Sequence, residues 1–382
     1  MLAAMWRHLL MAFWPPEWRQ NATRLPPALT QTGSMSDHMS EEIDVLIRLL
    51  NEWQTTLNKF SNVGIDSIIK LPQFVITGAQ SVGKSTILET FFGRDGIFET
   101  GSGIVTRCAI RCMLIQIEEG SEVYYELDHE IDATGARIQF DDVENISKKI
   151  NKETGDMLAI AGKPKTDVID AEITMRYYSP DVITLTLVDT PGLVTVDANG
   201  GKKRDAIRNL ITRYAEDDNS VILCVSPASQ DIQTSAGIEL ARDLDPKGER
   251  TLSIISKCDV TDSGDDLTPV FTNKAYKTKY GHIGVVNRGN KAKSEGQTLE
   301  EAKFHEESFF RLRYPDIAEK HGSEYLNKQL AVILASRIKK FLPRLIKFIE
   351  DNHEKYETLA KQFEGLCDSR GNINCVKVKQ HV

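Results

Sequence analysis

Residues 73–92 read QFVITGAQSVGKSTILETFF, in which an apolar run is followed by a glycine-containing loop and then by a helix-like run. A loop of this composition between a strand and a helix closes backbone N–H groups around a phosphate, and the helix N-terminus adds partial positive charge. We expect Lys84 to reach the β- and γ-phosphates and the Ser85 hydroxyl to bind Mg²⁺. The stretch therefore predicts a nucleoside triphosphate site; a chance glycine turn is the simpler alternative.

A second segment, Leu185–Gly192, alternates like a strand and ends in Asp-Thr-Pro-Gly. Asp189 can hold Mg²⁺ through water, and the Gly192 N–H can donate to a γ-phosphate, as in a loop that senses the third phosphate. An ordinary turn after a strand would look the same. The order of the two segments favours the phosphate interpretation.

A third segment, Ser256–Asp259, follows the strand-like run Thr251–Ile255. Asp259 can accept hydrogen bonds from N1 and N2 of guanine, a donor pair that adenine lacks, and the stem of Lys257 can lie over the base. A Lys-x-Asp sequence alone is common. After two phosphate motifs, this one predicts selection of GTP over ATP.

The interval between Lys84 and Asp189 should also contain a Thr that completes the Mg²⁺ site. Thr106, in Gly101–Arg107, is the best placed of several Thr residues, although this segment could be a glycine turn before a strand at Cys108–Ile117. The interval of 105 positions is more than twice what a minimal small GTPase needs. Its strand-like and helix-like stretches therefore predict an enlarged G domain; they are Glu122–Leu127, Glu172–Tyr178 and Asp141–Glu153.

The residue after Gly192 is Leu193, where Ras-like GTPases place a Gln that orients the attacking water. Something else must position the water. Gln80, inside the phosphate loop, has an amide that can both donate to and accept from it, and Ser81 could help to bind a charge-compensating group.

Together these segments resemble the dynamin superfamily of large GTPases, with a match from about Glu41 to Lys347. The resemblance rests on Leu71–Thr86, Gly101–Arg107, Asp189–Gly192, Val225–Ala228, Asp245–Thr251 and Gly284–Arg288. It implies an α/β P-loop NTPase G domain, with a mainly parallel sheet, helices on both faces and a flanking helical bundle signalling element. It implies hydrolysis of GTP to GDP and phosphate, stimulated when two G domains dimerise.

The resemblance also implies roles for individual residues. Catalysis would use Gln80, Ser81, Lys84, Thr106 and Gly192, and Mg²⁺ would be held by Ser85, Thr106 and Asp189. The nucleotide would contact Gly78, Gln80, Ser81, Val82, Gly83, Lys84, Ser85, Thr86, Asp189, Lys257, Asp259, Asn287 and Arg288. A monovalent cation, Na⁺ or K⁺, would lie near Ser81, Gly101 and Gly103, and Asp231 and Asp262 would face a second G domain.

The sequence departs from the family pattern at four positions. Ser256 and Cys258 flank Lys257 where a Thr and an apolar residue are usual, and Thr190 replaces a Leu. Gly289 stands where a Ser is more usual, which weakens the detailed assignment of the base pocket.

Composition fits a soluble cytoplasmic enzyme, and the family resemblance implies a peripheral association with membranes. The net charge of −8 argues against a nucleic-acid partner, and no apolar run is long enough to predict a transmembrane helix. Six cysteines without a nearby histidine pair favour free thiols over a metal site. By resemblance, membranes or microtubules are the expected larger partners.

The chain divides by pattern into four parts. Residues 1–39 are predicted to be a disordered extension or upstream sequence before a start at Met35 or Met39; residues 1–30 also loosely resemble a mitochondrial presequence. Residues 40–62 carry a helical apolar stripe, expected to pack beside a helix at 325–342 that closes the G domain of 71–343. Pro343 is expected to interrupt that helix, and 344–382 to begin a truncated stalk and a polar tail.

Three functions remain open: an active dynamin-type GTPase with a role in membrane remodelling, a non-catalytic or dominant-negative GTP-binding module, and a nucleotide-stabilised structural protein. A fragment of an Mx-type antiviral GTPase is a further alternative. The complete set of Gln80, Lys84, Ser85, Thr106 and Asp189 favours the first. The chain could be a fragment, a short isoform or a faulty gene model.

Overall fold

The computed structural model describes residues 72–98, 106–132, 137–194, 201–261 and 266–364, and within these ranges the side chains of all residues except 143–144, 290–291, 342, 345–346 and 348–364. Lys70–Leu334 form one compact unit. The described residues from 335 onward continue a long helix and belong to a second unit.

The described part of the unit contains nine strands in one sheet. They are β1 Phe74–Thr77, β2 Ala109–Gln116, β3 Tyr124–Ile131, β4 Arg137–Phe140, β5 Glu172–Ser179, β6 Leu185–Asp189, β7 Val221–Pro227, β8 Thr251–Ser256 and β9 His282–Gly284. The strand order is β4-β3-β5-β2-β6-β1-β7-β8-β9. β6, β1, β7, β8 and β9 are mutually parallel, whereas β2 runs antiparallel to β6 and the β3–β4 hairpin extends that side of the sheet.

The described residues form eight α-helices, of which the last three follow β9. They are α1 Lys84–Phe92, α2 Val143–Ile160, α3 Lys202–Ala215, α4 Ala236–Leu244, α5 Thr268–Phe271, α6 Asn290–Ser294, α7 Leu299–Arg313 and α8 Ser323–Glu364. Short 3-10 turns occupy Ile232–Thr234, Cys258–Val260 and Ala318–Lys320. None of the helices in this part of the chain combines the length and apolar character needed to cross a membrane.

The core explains why the central strands are almost wholly apolar. β1, β7 and β8 are buried along nearly their whole length, because each lies between two neighbours and under helices. α3 packs on β1, α4 on β7 and α1 on β6. This rigid centre fixes the loops at the carboxyl ends of β6, β1, β7, β8 and β9, where ligands bind in open α/β sheets.

The structure confirms the expected mainly parallel α/β sheet and corrects one detail. Helix α8 continues through Pro343, which was expected to interrupt it. A proline removes one N–H from the helical ladder, and here the regular turns on both sides keep the helix continuous. The helix predicted at 40–62, its packing beside 325–342, and the tail at 365–382 lie outside the described residues.

Candidate functional site

The phosphate loop leaves the carboxyl end of β1 and enters α1. It is packed closely against the neighbouring strand, since a Cβ added at Gly78 would lie 2.4 Å from the Val225 carbonyl oxygen. Gly83 has φ +98° and Ser81 has φ +59°, so the loop turns through left-handed backbone on its way into the helix. The sequence therefore uses glycine where a side chain would prevent the loop from closing.

Lys84 lies inside this loop, with its side chain folded back over it. Its Nζ donates to the carbonyl oxygens of Gly78, at 3.2 Å, and of Ala79, at 2.9 Å. Burial lowers the pKa of Lys84, and the negative charge of Asp189 opposes that shift. A buried ammonium held only by neutral carbonyls and one nearby carboxylate is well suited to an anionic ligand.

Asp189 ends β6, directly beside the phosphate loop, and is fully buried. Its Oδ2 accepts a hydrogen bond from the Thr106 hydroxyl at 3.1 Å, across 83 residues of sequence. Burial raises the pKa of Asp189 to about 6, while Lys84 and the Thr106 hydroxyl oppose the shift. The structure thus brings together two of the three side chains that the sequence nominated for Mg²⁺.

The second Asp189 oxygen, Oδ1, is buried and has no hydrogen-bond partner among the described residues. A buried carboxylate oxygen without a partner is costly unless a cation or water satisfies it. Mg²⁺ prefers hard oxygen ligands and usually keeps several waters. The carboxylate, the Thr106 hydroxyl and the Ser85 hydroxyl at the start of α1 therefore fit this ion.

Gly192 and Gln80 are in direct contact. A Cβ at Gly192 would lie 2.9 Å from the Gln80 Cγ and 3.1 Å from its backbone nitrogen. The two loops are also joined by the Leu193 N–H, which donates to the Gly78 carbonyl at 3.0 Å. The residue predicted to orient water therefore packs against the residue predicted to sense the γ-phosphate.

Two hydroxyl residues that the sequence presented only as departures from a family pattern anchor these loops. The Ser256 Oγ donates to the Val82 carbonyl in the phosphate loop at 2.6 Å. The Thr190 Oγ1 donates to the Ile76 carbonyl of β1 at 2.6 Å. A hydroxyl residue directly at the end of a buried strand was the available signal, since such a group needs a partner.

The base-binding candidates lie at the ends of β8 and β9. Asp259 is exposed and makes no hydrogen bond to the residues that the structure describes. Lys257, with φ +57°, donates from Nζ to the Ser81 carbonyl at 2.8 Å. The Cys258 N–H reaches the Val285 carbonyl at 3.4 Å, so the two strand ends are connected.

Asn287 and Arg288 follow β9 and face the first helix. Asn287 Nδ2 donates to the Thr90 Oγ1 at 2.9 Å, and its Oδ1 is buried with no partner in the described ranges. The Arg288 guanidinium bonds the Asp95 carboxylate and the Gln297 carbonyl. Arg288 is thus occupied by protein groups in this structure.

Of the remaining candidates, Val82 is buried, Ser85 and Thr86 lie half-buried in the first turn of α1, and Asp231 is exposed and caps the 3-10 turn at Ile232–Thr234. Gly101, Gly103 and Asp262 lie outside the described residues.

The chain was compared with known proteins. The model described as "Dynamin family" matches residues 74–258, and the one described as "Dynamin central region" matches residues 266–374. Dynamin-1-like protein of Danio rerio is 33% identical over 86% of this chain and 47% of its own length. Phragmoplastin DRP1A of Arabidopsis thaliana is 34% identical over 82% of this chain and 51% of its own length. Dynamin-1 of Bos taurus is 36% identical over 84% of this chain and 36% of its own length.

The chain spans about half the length, or less, of these curated relatives. The first of the two family matches covers the phosphate loop, Asp189 and the end of β8, which the fold places at one edge of the sheet. The chain therefore belongs to the dynamin family.

Proposed function

We propose that this chain binds GTP together with Mg²⁺ and hydrolyses it to GDP and phosphate. The observation that carries the proposal is the buried Asp189 carboxylate. One of its oxygens is bonded to Thr106, the other has no partner among the described residues, and the group is close enough to Lys84 to oppose the pKa shift of its ammonium. This arrangement joins a cation site to an anion site. A nucleoside triphosphate with its metal supplies both charges.

The side chains divide the work of phosphate binding. Lys84 exchanges the carbonyls of Gly78 and Ala79 for phosphate oxygens, which are stronger acceptors for an ammonium. Backbone N–H groups of the loop and of the first turn of α1 bind the remaining phosphate oxygens. Asp189, Thr106 and Ser85 hold Mg²⁺, which when bound neutralises charge that develops on the phosphates.

Water is positioned by groups of the phosphate loop itself. The Cα and Cγ of Gln80 pack on Gly192, so its side chain begins next to the residue whose N–H is expected to meet the γ-phosphate. From there the amide oxygen accepts from the attacking water and orients it for in-line attack. Leu193 has no polar group for this task.

Guanine is selected by Asp259 and supported by Lys257 and Asn287. The exposed carboxylate of Asp259, which bonds to none of the residues that the structure describes, suits the N1 and N2 donors of guanine. The unpartnered Asn287 Oδ1 is a further polar group at the same end of the sheet.

Family membership supports three further proposals. A second G domain pairs with this one across the nucleotide face, with Ser81, Asp231 and Asp262 available to it. A monovalent cation, Na⁺ or K⁺, assists near Ser81. Within a longer protein the module would serve membrane remodelling, as a peripheral cytoplasmic enzyme.

The experiment is Mg²⁺-dependent GTP hydrolysis, measured against protein concentration. We expect turnover per molecule to rise with concentration, because pairing completes the site. Thr106→Ala should bind GDP normally and hydrolyse GTP at least about tenfold more slowly, because one metal-facing hydroxyl is lost. Thr272→Ala, which removes an exposed hydroxyl bonded to the Thr268 carbonyl, is the matched control and should be unaffected.

Two outcomes would contradict the proposal. GTP binding without turnover at any concentration would leave a binding module. Equal rates of GTP hydrolysis for wild type and Thr106→Ala would mean that Thr106 has no role in hydrolysis and that the proposed Mg²⁺ site is wrong.

A further inference from the structure

Four charged side chains connect the first helix to the loop after β9. Glu89 belongs to α1, Asp95 to the loop that follows it, and Arg288 and Lys293 to the segment after β9. We call this group the base-loop clamp. None of the four was nominated for it by the sequence, which assigned Arg288 directly to the nucleotide.

The clamp is a continuous set of ion pairs. The Lys293 Nζ lies 2.6 Å from the Glu89 Oε2 and 3.1 Å from the Asp95 Oδ1. The other oxygen of Asp95 pairs with Arg288. Glu89 also accepts from the Gly96 N–H at 2.7 Å, so the start of the loop after α1 is held as well.

Two of the four charged side chains are buried, which makes the loss of an ion-pair partner costly. The Glu89 side chain is 2% exposed and that of Arg288 is 8% exposed, so neither charge can turn to water if its partner is lost. The four formal charges balance to zero. Breaking one partner of a buried pair is more damaging than the pair itself is stabilising, because a charge is left without compensation.

A neutral hydrogen bond joins the same two segments, α1 and the loop after β9. Asn287 donates to the Thr90 Oγ1, and that hydroxyl donates to the carbonyl of Thr86 at 3.0 Å. Asn287 is thereby fixed to the helix that begins in the phosphate loop. The next residue along the chain, Arg288, carries the ion pair.

We propose that Arg288 is a positioning residue: through Asp95 it holds the loop of Asn287 in place for guanine, and it does not itself contact the base. The inference rests on the proposed function, because it concerns the same nucleotide. It predicts that Asp95, which no nucleotide motif includes, controls guanine affinity as strongly as Arg288 does. The clamp also ties the base loop to the segment that leads toward Thr106.

The test is a double-mutant cycle on GDP affinity. Asp95→Asn and Arg288→Gln should each weaken GDP binding by about tenfold, and the double variant by no more than the larger single effect, because both remove the Asp95–Arg288 pair. Asp95→Glu keeps the charge and should restore most of the affinity. Asp243→Asn is the matched control, since Asp243 pairs with Arg208 between α3 and α4, away from the nucleotide loops.

A second ligand separates positioning of the base from damage to the fold. Inorganic pyrophosphate, which has phosphates and no base, should bind with the same affinity to wild type and to all the variants. Loss of pyrophosphate and GDP binding together in Asp95→Asn would mean that the pair only supports the fold, and would overturn the proposal.

Two other outcomes are decisive. Normal GDP affinity in Asp95→Asn with weakened affinity in Arg288→Gln would mean that Arg288 touches the nucleotide directly. A wild-type protein that binds no guanine nucleotide would instead refute the proposed function, and the role of the clamp with it.

Discussion

Replacing His321 with Asn removes a buried imidazole that is bonded to the end of β9, the strand that precedes Asn287. The His321 Nδ1 accepts from the Gly284 N–H of β9 at 3.0 Å, and the ring lies on Phe271 and Phe310, with centroids at 4.2 and 5.2 Å. The Asn amide oxygen can accept the same bond. The variant should therefore fold, at a loss of about 1 kcal/mol of ring contact that does not depend on pH.

The pH dependence follows from the pKa of the imidazole. Burial, assisted by the positive charge of Lys320, lowers the pKa of His321 to about 4 from its ordinary value of 6.5. Because the folded-state pKa is the lower one, the native state binds fewer protons between these values. The stabilising contribution of the neutral His321 imidazole is therefore complete above pH 6.5 and is lost as the pH falls toward 4. Linkage between protonation and folding lowers the free energy of unfolding by about 2.5 kcal/mol as the pH falls from 7.5 to 4.5.

The assay is urea unfolding of both proteins, without nucleotide, across that pH range. The free energy of unfolding of wild type should fall by about 2.5 kcal/mol more than that of His321→Asn. Glu306 is buried nearby and its pKa is raised by burial, which gives the opposite slope; it is present in both proteins and cancels from the comparison. A difference between the proteins that is constant with pH would refute the reasoning.

The remaining predictions concern the phosphate loop. Lys84→Ala should lose GTP binding by at least about a hundredfold, because the γ-phosphate loses its main cation; isothermal calorimetry that finds wild-type affinity would contradict this. Ser256→Ala should destabilise the protein by about 1–2 kcal/mol and weaken GTP, because the Val82 carbonyl loses its donor. Ser253→Ala is its matched control, since that buried hydroxyl in the same strand has no partner within the described residues and its removal should be nearly neutral. Gln80→Ala should bind GTP normally and hydrolyse it more slowly in a single-turnover assay; an unchanged rate would mean that another group positions the water.

The sequence was sufficient for the central fold because its signals are local. β1, β6 and β8 are short apolar runs that end directly in Gly78, Asp189 and Lys257, and a parallel sheet places those ends on one edge. The predicted strands and helix of the insert are confirmed as β3, β5 and α2, with boundaries that differ by a few residues.

Contacts between distant segments were not predictable in the same way. The hydrogen bond between Thr106 and Asp189 is an example. Several Thr residues lie between Lys84 and Asp189, and spacing alone could not determine which of them reaches the carboxylate. The pairing of Arg288 with Asp95 spans 193 positions and has no periodic signal, so a family motif suggested a different partner for the same side chain. The prediction at Pro343 was wrong. A proline in the sequence indicates only that one backbone hydrogen bond is lost, and whether the helix ends there depends on the turns around it.

The central claim is that this edge of the sheet binds a guanine nucleotide, and Asp259→Asn tests it most directly. The carboxylate is exposed and has no partner among the described residues, so its replacement should leave the fold unchanged. Loss of a charged pair of hydrogen bonds should weaken GTP binding by about 2–4 kcal/mol, or about 30- to 1,000-fold. The inverted hydrogen-bond polarity should instead favour xanthosine triphosphate. Measured side by side, weak GTP with recovered xanthosine triphosphate binding is the predicted result, and unchanged GTP affinity would contradict the account.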